Sequence, residues 1–444
     1  MFRKLVSVLA VFFILSLMCQ APAFAIGAGG FRNEVVSART MGRGSAGCAQ
    51  TDDAAAVHYN PAAMTELGKS AISLGYTLEA PETKHTATNG TETSMTDQTF
   101  LIPNLYLVDS FGMENFSFGL GVTSDYGLAT DWADNSFSKY ISTEADLYFY
   151  GINPSVAYKV NDKLSVGVGA NYIMTDMNKW RKFNTTNVND SLDDGDSTNN
   201  TAATVADGDF QLKGDDEAWS YNLGVIYKPW EGHTIGLAYR SEVDFKYTNS
   251  PMTITNLSGL AAAVFGASYD TQITSELNLP QVVSFGYNYQ ANDKLNVELD
   301  VEWTGWSCIK QDLIEWETET NATRLAVLNA TNPDPKDWDD VISLAIGFDY
   351  KYSEKLNLRC GYLFEETPVP DSTMETALPD SDRHGVSVGF GYKFKDFTVD
   401  MAYLAVFFED RTIDNNVGAA SEASIDGEYE QFVHIVGIGF TYEY

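Results

Sequence analysis

From about residue 70 to the C-terminus, bulky apolar residues alternate with small or polar residues at a period of two. In VSVGFGYKF (386–394), Val386, Val388 and Phe390 share one face, while Ser387 and two glycines lie on the other. Successive side chains of a strand point to opposite faces. An apolar stripe opposite small or polar residues is typical of a membrane β-barrel. The alternation recurs at 115–126, 164–174, 219–228, 234–247, 282–290, 295–303, 341–350, 397–408 and 432–444.

The connections between these strands are alternately short and long. Short turns are predicted at 111–114, 161–163, 230–232, 291–293, 353–354 and 395–396. Long polar loops are predicted at 81–98, 127–143, 184–215, 250–271, 311–336, 366–381 and 411–427. Short periplasmic turns and long extracellular loops are typical of an outer-membrane barrel. A soluble β-sandwich or propeller, the alternative interpretation, does not explain this rhythm. The pattern therefore predicts an all-β transmembrane barrel of about 14 antiparallel strands over residues 70–444.

A barrel of this size needs a plug. Eight strands enclose a space that wall side chains can fill, whereas 16–18 strands leave an aqueous channel. Residues 26–69 lack strand alternation and are rich in Gly, Ala and Ser, so we predict that they form a hatch of short helices and tight turns in the lumen. The stretch DDAAAVHYNPAAM (52–64) predicts a short helix that ends at Asn60-Pro61.

Residues 1–25 have the features of a secretory signal peptide. Arg3 and Lys4 precede an apolar run, and the stretch ends in Ala23-Phe24-Ala25, a small-residue cleavage site. An N-terminal membrane anchor is the alternative, and the short apolar run argues against it. No later segment approaches the ~20 consecutive apolar residues of a membrane-spanning helix. The protein is expected to be exported and to cross a membrane only with strands.

Charge and cysteine content narrow the possible partners. The chain carries 28 Lys and Arg against 61 Asp and Glu, a net charge of −33. Such a chain is not expected to bind nucleic acid. The acidic runs at 189–196, 214–217 and 333–340 are most simply solvated loops, and divalent-cation binding beside a phosphate-rich surface is the alternative. The four cysteines are widely spaced, so they predict neither a disulfide framework nor a metal site.

Several segments in this order resemble the FadL/TodX family of outer-membrane transporters for long-chain fatty acids and other hydrophobic compounds. The most specific are the NPA of the predicted hatch and LPDSDR (378–383). The others are MGRGSAGCAQTDDAAAVHYNPAAMT (41–65), TSDYGLATDW (123–132), NPSVAYKVNDKLSVGVGANY (153–172), LAYRSEVDF (237–245), LNLPQ (277–281), the pair Trp303/Trp306, TPVPDSTMETALPDSDR (367–383) and the final strand.

The resemblance implies a 14-stranded barrel plugged by an N-terminal hatch. Hydrophobic substrate would be captured at extracellular loops, pass through a pocket between hatch and wall, and leave sideways at an inward kink of the third strand. TSDYGL places that kink and lateral opening at Ser124, Asp125, Tyr126 and Gly127, with glycine tolerating unusual backbone geometry. The alternative for Gly127 is an ordinary glycine at a strand end.

The NPA match assigns a gating role to Asn60, Pro61 and Ala62. The family's Asn lies close to the kink, and a buried amide offers donors and an acceptor. We therefore expect Asn60 to hold kink backbone groups that lost their strand partners. The alternative is an ordinary helix terminator.

The carboxylate of a fatty acid requires a cation in an otherwise apolar pocket. WRKF (180–183) matches a family segment carrying such an arginine, so Arg181 or Lys182 is the first candidate. Arg383 is another, although Asp380 and Asp382 nearby favour a structural ion pair. The loop at 311–336 departs from the family pattern, and Arg324 and Lys336 are the possible second partners there. Without such a partner, a neutral hydrocarbon becomes a competing substrate.

The function expected from these observations is passive uptake at the outer membrane of a Gram-negative bacterium. The chain has no phosphate-binding loop, and no cofactor or metal is expected. Catalysis is not expected either, because its five histidines accompany no G-x-S-x-G motif. Expected partners are an apolar small molecule and outer-membrane lipid, with the protein acting as a monomer. An aromatic-hydrocarbon channel of the same fold and a general porin are the alternative functions.

Overall fold

The computed structural model describes residues 30–33, 35–50, 52–193 and 204–444. The predicted signal peptide, residues 1–25, and part of the acidic run at 189–196 lie outside these residues. The described part of the chain contains a closed antiparallel barrel of 14 strands, so the predicted fold class is confirmed. Closure is made by the first and last strands, which pair over their whole length from Ala71↔Glu443 to Ala87↔Gly427.

The described residues contain 22 strand segments, because three of the 14 barrel strands consist of two segments each and five further short segments lie in the long-loop connections. The segments of the first half are β1 (Ala71–Ala87), β2 (Glu92–Ser94), β3 (Phe100–Asp109), β4 (Phe116–Thr123), β5 (Gly127–Asp131), β6 (Glu144–Asn161), β7 (Leu164–Phe183), β8 (Gly208–Tyr227), β9 (His233–Arg240), β10 (Val243–Thr255) and β11 (Tyr269–Leu279). Those of the second half are β12 (Val282–Asn292), β13 (Leu295–Thr304), β14 (Gln311–Asp312), β15 (Ile314–Trp316), β16 (Asp334–Pro335), β17 (Val341–Lys351), β18 (Leu356–Glu365), β19 (Arg383–Phe394), β20 (Phe397–Phe408), β21 (Arg411–Ile413) and β22 (Gly427–Glu443). The interrupted barrel strands are the third (β4/β5), the seventh (β9/β10) and the eighth (β11/β12).

The six predicted short turns are found where expected, but several predicted loops begin or end with strand. β1 continues to Ala87, β8 begins at Gly208 and β10 continues to Thr255, all within stretches predicted as loop. The strands extend beyond the apolar band. There the outward face no longer meets lipid, so the outward apolar stripe disappears while the backbone ladder continues.

The helices that follow residue 70 in the described part of the chain belong to the connections at the long-loop end of the barrel. They are the α-helices Thr185–Asp193, Gly259–Phe265 and Ala322–Leu328 and the 3-10 turns Trp306–Cys308, Asn329–Thr331 and Ala419–Ser421. Among the described residues, no helix has the length and apolar character needed to cross a membrane.

The described residues between 30 and 69, called the hatch below, lie inside the ring of strands. The hatch contains the α-helices Ala38–Met41 and Ala56–Tyr59 and a 3-10 helix, Pro61–Glu66. The first helix contacts β19, β20 and β22, while the 3-10 helix contacts β6, β7 and β8 across the barrel. The hatch therefore touches opposite sides of the wall.

Glycines on the inward face of the wall allow this close approach. A Cβ placed on Gly224 would lie 2.2 Å from Asn60 Oδ1, and one on Gly236 would lie 2.2 Å from the Cys48 carbonyl oxygen. A side chain at either position would overlap the hatch. The large outward residues of the alternation thus face lipid, and the small inward residues leave room for the hatch backbone.

Above the hatch, on the side of the long loops, the interior is apolar. One continuous cluster of buried hydrophobic side chains extends from the long loops to the third strand. Its members include Phe210, Leu212, Met177, Phe245, Phe149, Tyr126, Phe31, Trp306 and Trp338.

Candidate functional site

The third barrel strand is broken at Ser124, Asp125 and Tyr126. β4 pairs with β6 as far as Thr123↔Gly151, and pairing resumes at Gly127↔Tyr148. Three residues on one side therefore face two on the other, a one-residue bulge. The bulge also reverses the inward–outward alternation along the strand.

The break leaves a gap in the wall between the second and third strands. β3 pairs with β4 only from Leu105↔Val122 to Asp109↔Phe118. β5 pairs with β6 and not with β3. One bond, from the Thr96 N–H to the Asp131 carbonyl (2.9 Å), joins the two sides again at the outer end.

The hatch takes the place of β3 as the partner of the kink. Arg32 and Tyr126 form an antiparallel bridge. The Asn33 N–H donates to the Asp125 carbonyl at 2.7 Å, and the Gly127 N–H donates to the Phe31 carbonyl at 2.9 Å. Backbone groups that lost their strand partners are thus satisfied by the hatch, as buried amides require.

A buried ionic network ties the same kink to the hatch and to the seventh strand. Asp125 lies 3.0 Å from Arg240 Nη1 and 3.3 Å from His58 Nδ1, and Arg32 pairs with Glu302. Arg240 Nη2 is also 3.1 Å from His58 Nδ1. Burial, helped by the positive charge of Arg240 and opposed by the attraction of Asp125, lowers the pKa of His58 to about 4. His58 is therefore neutral near pH 7.

The prediction that Asn60 holds backbone groups of the kink is wrong. The Asn60 amide donates to the carbonyls of Cys48 (2.8 Å), Val225 (3.2 Å) and Leu237 (3.4 Å). Its Oδ1 accepts the Ala62 N–H at 3.2 Å and caps the 3-10 helix that begins at Pro61. The amide reaches the sixth and seventh strands because inward glycines there leave room for it. NPA is thus both a helix terminator and an anchor of the hatch to the wall.

The expected backbone role of Gly127 is also wrong. Gly127 begins β5 and pairs normally with Tyr148, and its φ is not positive. The bulge at residues 124–126 makes the kink, so a glycine is not required by the backbone here. The alternative, a glycine at a strand end, describes its position.

On the side of the long loops, the apolar cluster opens into a cavity of about 500 Å³, called the outer cavity below. Its lining includes Arg181, Phe183, Phe210, Ile314, Trp316 and Val417. The Arg181 guanidinium donates to the Tyr140 carbonyl at 3.1 Å and lies over the Phe210 ring at 4.6 Å. No carboxylate within the described ranges lies within ion-pair distance of it. Lys179 also lines the outer cavity, but its Nζ is paired with Asp312 at 2.8 Å.

Each of the other candidate cations is paired with acids of the protein. Lys182 lies on the opposite face of β7 from Arg181 and pairs with Asp134 and Asp209, each at 2.8 Å. This separation follows from the period of two along a strand. The structure therefore brings only the first member of the Arg181/Lys182 pair into the outer cavity.

Arg383 is buried against carboxylates, with Nε 3.3 Å from Glu365 and Nη2 3.6 Å from Asp380. Lys336 pairs with Asp334 at 2.8 Å and with Glu375 at 2.6 Å. Arg324 pairs with Glu319 at 3.3 Å.

Sequence reasoning missed the network of Arg32, Arg240 and Glu302 and gave His58 no role at the kink. A charged residue at an inward position of a strand, such as Arg240 in LAYRSEVDF, was the available signal, because a charge facing a packed lumen requires a partner. The partner itself could not be read from a distant segment. No group of three or more His, Cys, Asp or Glu side chains in the described ranges is arranged to hold a metal ion.

Comparison with known proteins agrees with this geometry. Residues 20–444 match the family described as outer membrane protein transport protein (OMPP1/FadL/TodX). The chain belongs to this family. Among its FadL/TodX relatives, the long-chain fatty acid transport protein of Escherichia coli O6:H1 (strain CFT073) is 26% identical over 94% of both chains. Outer membrane protein P1 of Haemophilus influenzae (strain Rd) is 26% identical over 97% of this chain and 99% of its own.

Solved structures of the FadL/TodX family share the fold. A Pseudomonas aeruginosa FadL homologue superposes with a TM-score of 0.80 at 20% identity, covering 93% of this chain and 99% of its own. The Pseudomonas putida toluene transporter TodX gives 0.67 at 16% identity, covering 94% and 99%. The chain is thus an outer-membrane β-barrel of a Gram-negative bacterium, and its family comprises hydrophobic-compound transporters.

Proposed function

We propose that this protein is a passive uptake channel for long-chain fatty acids or similar hydrophobic compounds, working as a monomer surrounded by outer-membrane lipid. The observation that carries the proposal is the apolar cluster, which joins the outer cavity at Phe210 to the kink at Tyr126 without interruption. An apolar molecule can follow this cluster from the extracellular loops to the wall.

Capture takes place in the outer cavity. Burying an alkyl chain there stabilises the complex by about 0.8 kcal/mol per CH₂, which selects long chains over short ones. Arg181 supplies a charge-assisted hydrogen bond for a carboxylate. Among the described residues, the Arg181 guanidinium contacts the Tyr140 carbonyl and the Phe210 ring and is not paired with an acid.

Exit is lateral, through the gap between β3 and the kink. The gap is bounded by Leu105↔Val122 and by the Thr96–Asp131 bond. The hatch closes it from inside, since residues 31–33 pair with the kink. Release requires this part of the hatch to shift, so the hatch acts as the gate.

Uptake of aromatic hydrocarbons is the second candidate. Lys336 and Arg324, the possible second partners of a carboxylate, are both paired with acids of the protein. Among the described residues that line the outer cavity, Arg181 is then the only cation without a paired acid. A ligand carboxylate would gain a single ionic contact there, which favours a neutral ligand. A general porin is a weaker candidate because the hatch contacts opposite sides of the wall.

Uptake by a Gram-negative host lacking its own fatty acid transport protein tests this proposal. We expect the wild type to take up a C16 acid and to do so far faster than a C6 acid. Mass spectrometry of the purified protein is expected to recover apolar ligands. A steady ionic current through bilayers, or no uptake of long-chain acids or aromatics, would contradict the proposal.

Deleting Ser124 tests the route. The deletion equalises the residue count opposite Tyr148–Gly151, so the third strand can run unbroken and the gap can close. We expect uptake to be lost while the barrel still folds, which heat-modifiable gel mobility reports. The matched control is deletion of Gly90, which also removes one residue but lies in the extracellular hairpin between β1 and β2. Normal uptake by the Ser124 deletion would place the exit elsewhere.

A further inference from the structure

The interior changes from apolar to ionic within a single residue at the kink. Phe31 and Tyr126 belong to the apolar cluster. Their neighbours Arg32 and Asp125 belong to the ionic network below it. A molecule with a long apolar chain and one charged end would match this boundary.

A small cavity lies directly on the ionic side. It has a volume of about 60 Å³, room for a few water molecules, and we call it the polar cavity. Its lining includes Arg32, His58, Arg240, Ser45, Asp300 and Glu302. The volume suits a carboxylate and not an aromatic ring, and the lining offers the cations Arg32 and Arg240 beside the acids Asp300 and Glu302.

Two buried oxygens in this lining have no hydrogen-bond partner among the described residues. They are Ser45 Oγ, in a residue 8% exposed, and Asp300 Oδ1, in a residue 9% exposed. Unpartnered buried polar atoms are costly. The Ser45 hydroxyl can donate to a carboxylate, so such an occupant would give it a partner. Asp300 lies beside the Glu298 carboxyl and, as an acceptor, favours a ligand that arrives with its acid proton.

Arg240 is the cation that an incoming carboxylate can share. Its Nη1 contacts Asp125 at 3.0 Å, and that contact links the kink to the seventh strand. A ligand carboxylate competes with Asp125 for the same guanidinium. When it wins, the kink loses its ionic tie, so occupancy of the polar cavity and opening of the gap are coupled.

We propose that the polar cavity is a binding site for the carboxylate of a long-chain acid, separate from Arg181 in the outer cavity. The alkyl chain lies in the apolar cluster and the carboxylate exchanges with Asp125 on Arg240. This inference rests on the proposed function and deepens it, because it selects acids over neutral hydrocarbons at the exit.

Arg240→Gln tests the site through substrate selectivity. We expect uptake of a C16 acid to fall about tenfold more than uptake of the C16 alcohol, the loss of a charge-assisted contact. A purely structural role would reduce both equally, and that result would overturn the proposal. Arg411→Gln, which removes a loop ion pair with Asp371, is the matched control and should leave both rates unchanged.

Photolabelling locates the carboxylate and separates this inference from the proposed function. A C16 acid with a diazirine beside its carboxylate is expected to label residues around 32, 58, 125 and 240, in addition to the outer cavity. Labelling confined to the outer cavity, with uptake intact, would overturn the polar cavity site alone. Absence of competable labelling everywhere, together with absence of uptake, would overturn both.

Discussion

At the scale of single residues, the inward face of this barrel contacts the hatch rather than solvent. Buried carboxylates of the wall accept hatch N–H groups: Asp300 accepts those of Gly47 and Cys48 (2.8 and 2.9 Å), and Glu298 accepts that of Ala49 (2.6 Å). The Asn60 amide also donates to one hatch carbonyl and to two wall carbonyls. These contacts hold the hatch by many separate hydrogen bonds of modest strength.

Asn60→Ala is expected to loosen the hatch without unfolding the barrel. The change removes a helix cap, worth about 1 kcal/mol, and leaves the Val225 and Leu237 carbonyls without this donor. Hydrogen exchange of residues 52–66 should therefore rise. Asn292→Ala, which affects only a periplasmic turn, is the control. Unchanged exchange in the Asn60 variant would reduce NPA to a helix stop.

His58 makes hatch stability depend on pH. Its pKa falls from ~6.5 when unfolded to about 4 when folded, so the folded state favours the neutral ring. This contribution is fully present above pH ~6.5 and is lost as pH falls toward 4. The groups facing the ring are Asp125, Arg240, Tyr59, Arg32 and Glu302.

We therefore expect hatch exchange in the wild type to rise between pH 6.5 and 4, relative to His58→Gln at each pH. Comparison at equal pH cancels the intrinsic exchange rates. Parallel curves for the two proteins would show that His58 does not titrate against the hatch.

At the scale of elements, strand existence was predictable and strand function was not. The alternation located the strands, because a lipid-facing stripe imposes a period of two on the sequence. It failed at the strand ends, as at Ala87 and Gly208, where no lipid imposes the stripe. The kink segment was found only through TSDYGL. Its partner is residues 31–33, with Asn33 lying 91 residues before Ser124 in the chain, and no local pattern encodes that pairing.

Gly236→Ala tests whether the small inward residues seat the hatch. The new Cβ would lie 2.2 Å from the Cys48 carbonyl, so the hatch has to move, at a cost of about 1–3 kcal/mol. In a background with Cys308 and Cys360 replaced by serine, Cys48 should react with maleimide roughly tenfold faster. Gly439→Ala, whose Cβ would meet Ala38 at 3.6 Å, should have little effect. Equal labelling of both variants would contradict this packing.

At the scale of the whole molecule, the barrel is a wall with a gap beside its third strand, an apolar interior above and an ion-paired hatch below. The strand count predicted the plug, because 14 strands enclose more space than the side chains of the wall can fill. The candidate cations were harder to predict. The nearby acids in LPDSDR already favoured an ion pair for Arg383, and Asp380 provides it. Arg181 and Lys182 look alike in sequence, and only their partners in space separate the cation that faces the outer cavity from the one that is neutralised.

We propose that hydrophobic molecules leave through the wall when the hatch separates from the kink. Arg32 and Tyr126 are direct antiparallel partners flanked by two backbone bonds, a non-hydrogen-bonded pair with Cα atoms about 4.5 Å apart, within the range of a disulfide. A double variant, Arg32→Cys with Tyr126→Cys in a background lacking the native cysteines, can lock hatch to kink reversibly. The most direct measurement is uptake of a C16 alcohol, which does not require Arg32, by the oxidised and reduced protein. We predict that uptake stops on oxidation and returns on reduction; equal uptake in both states would contradict the account.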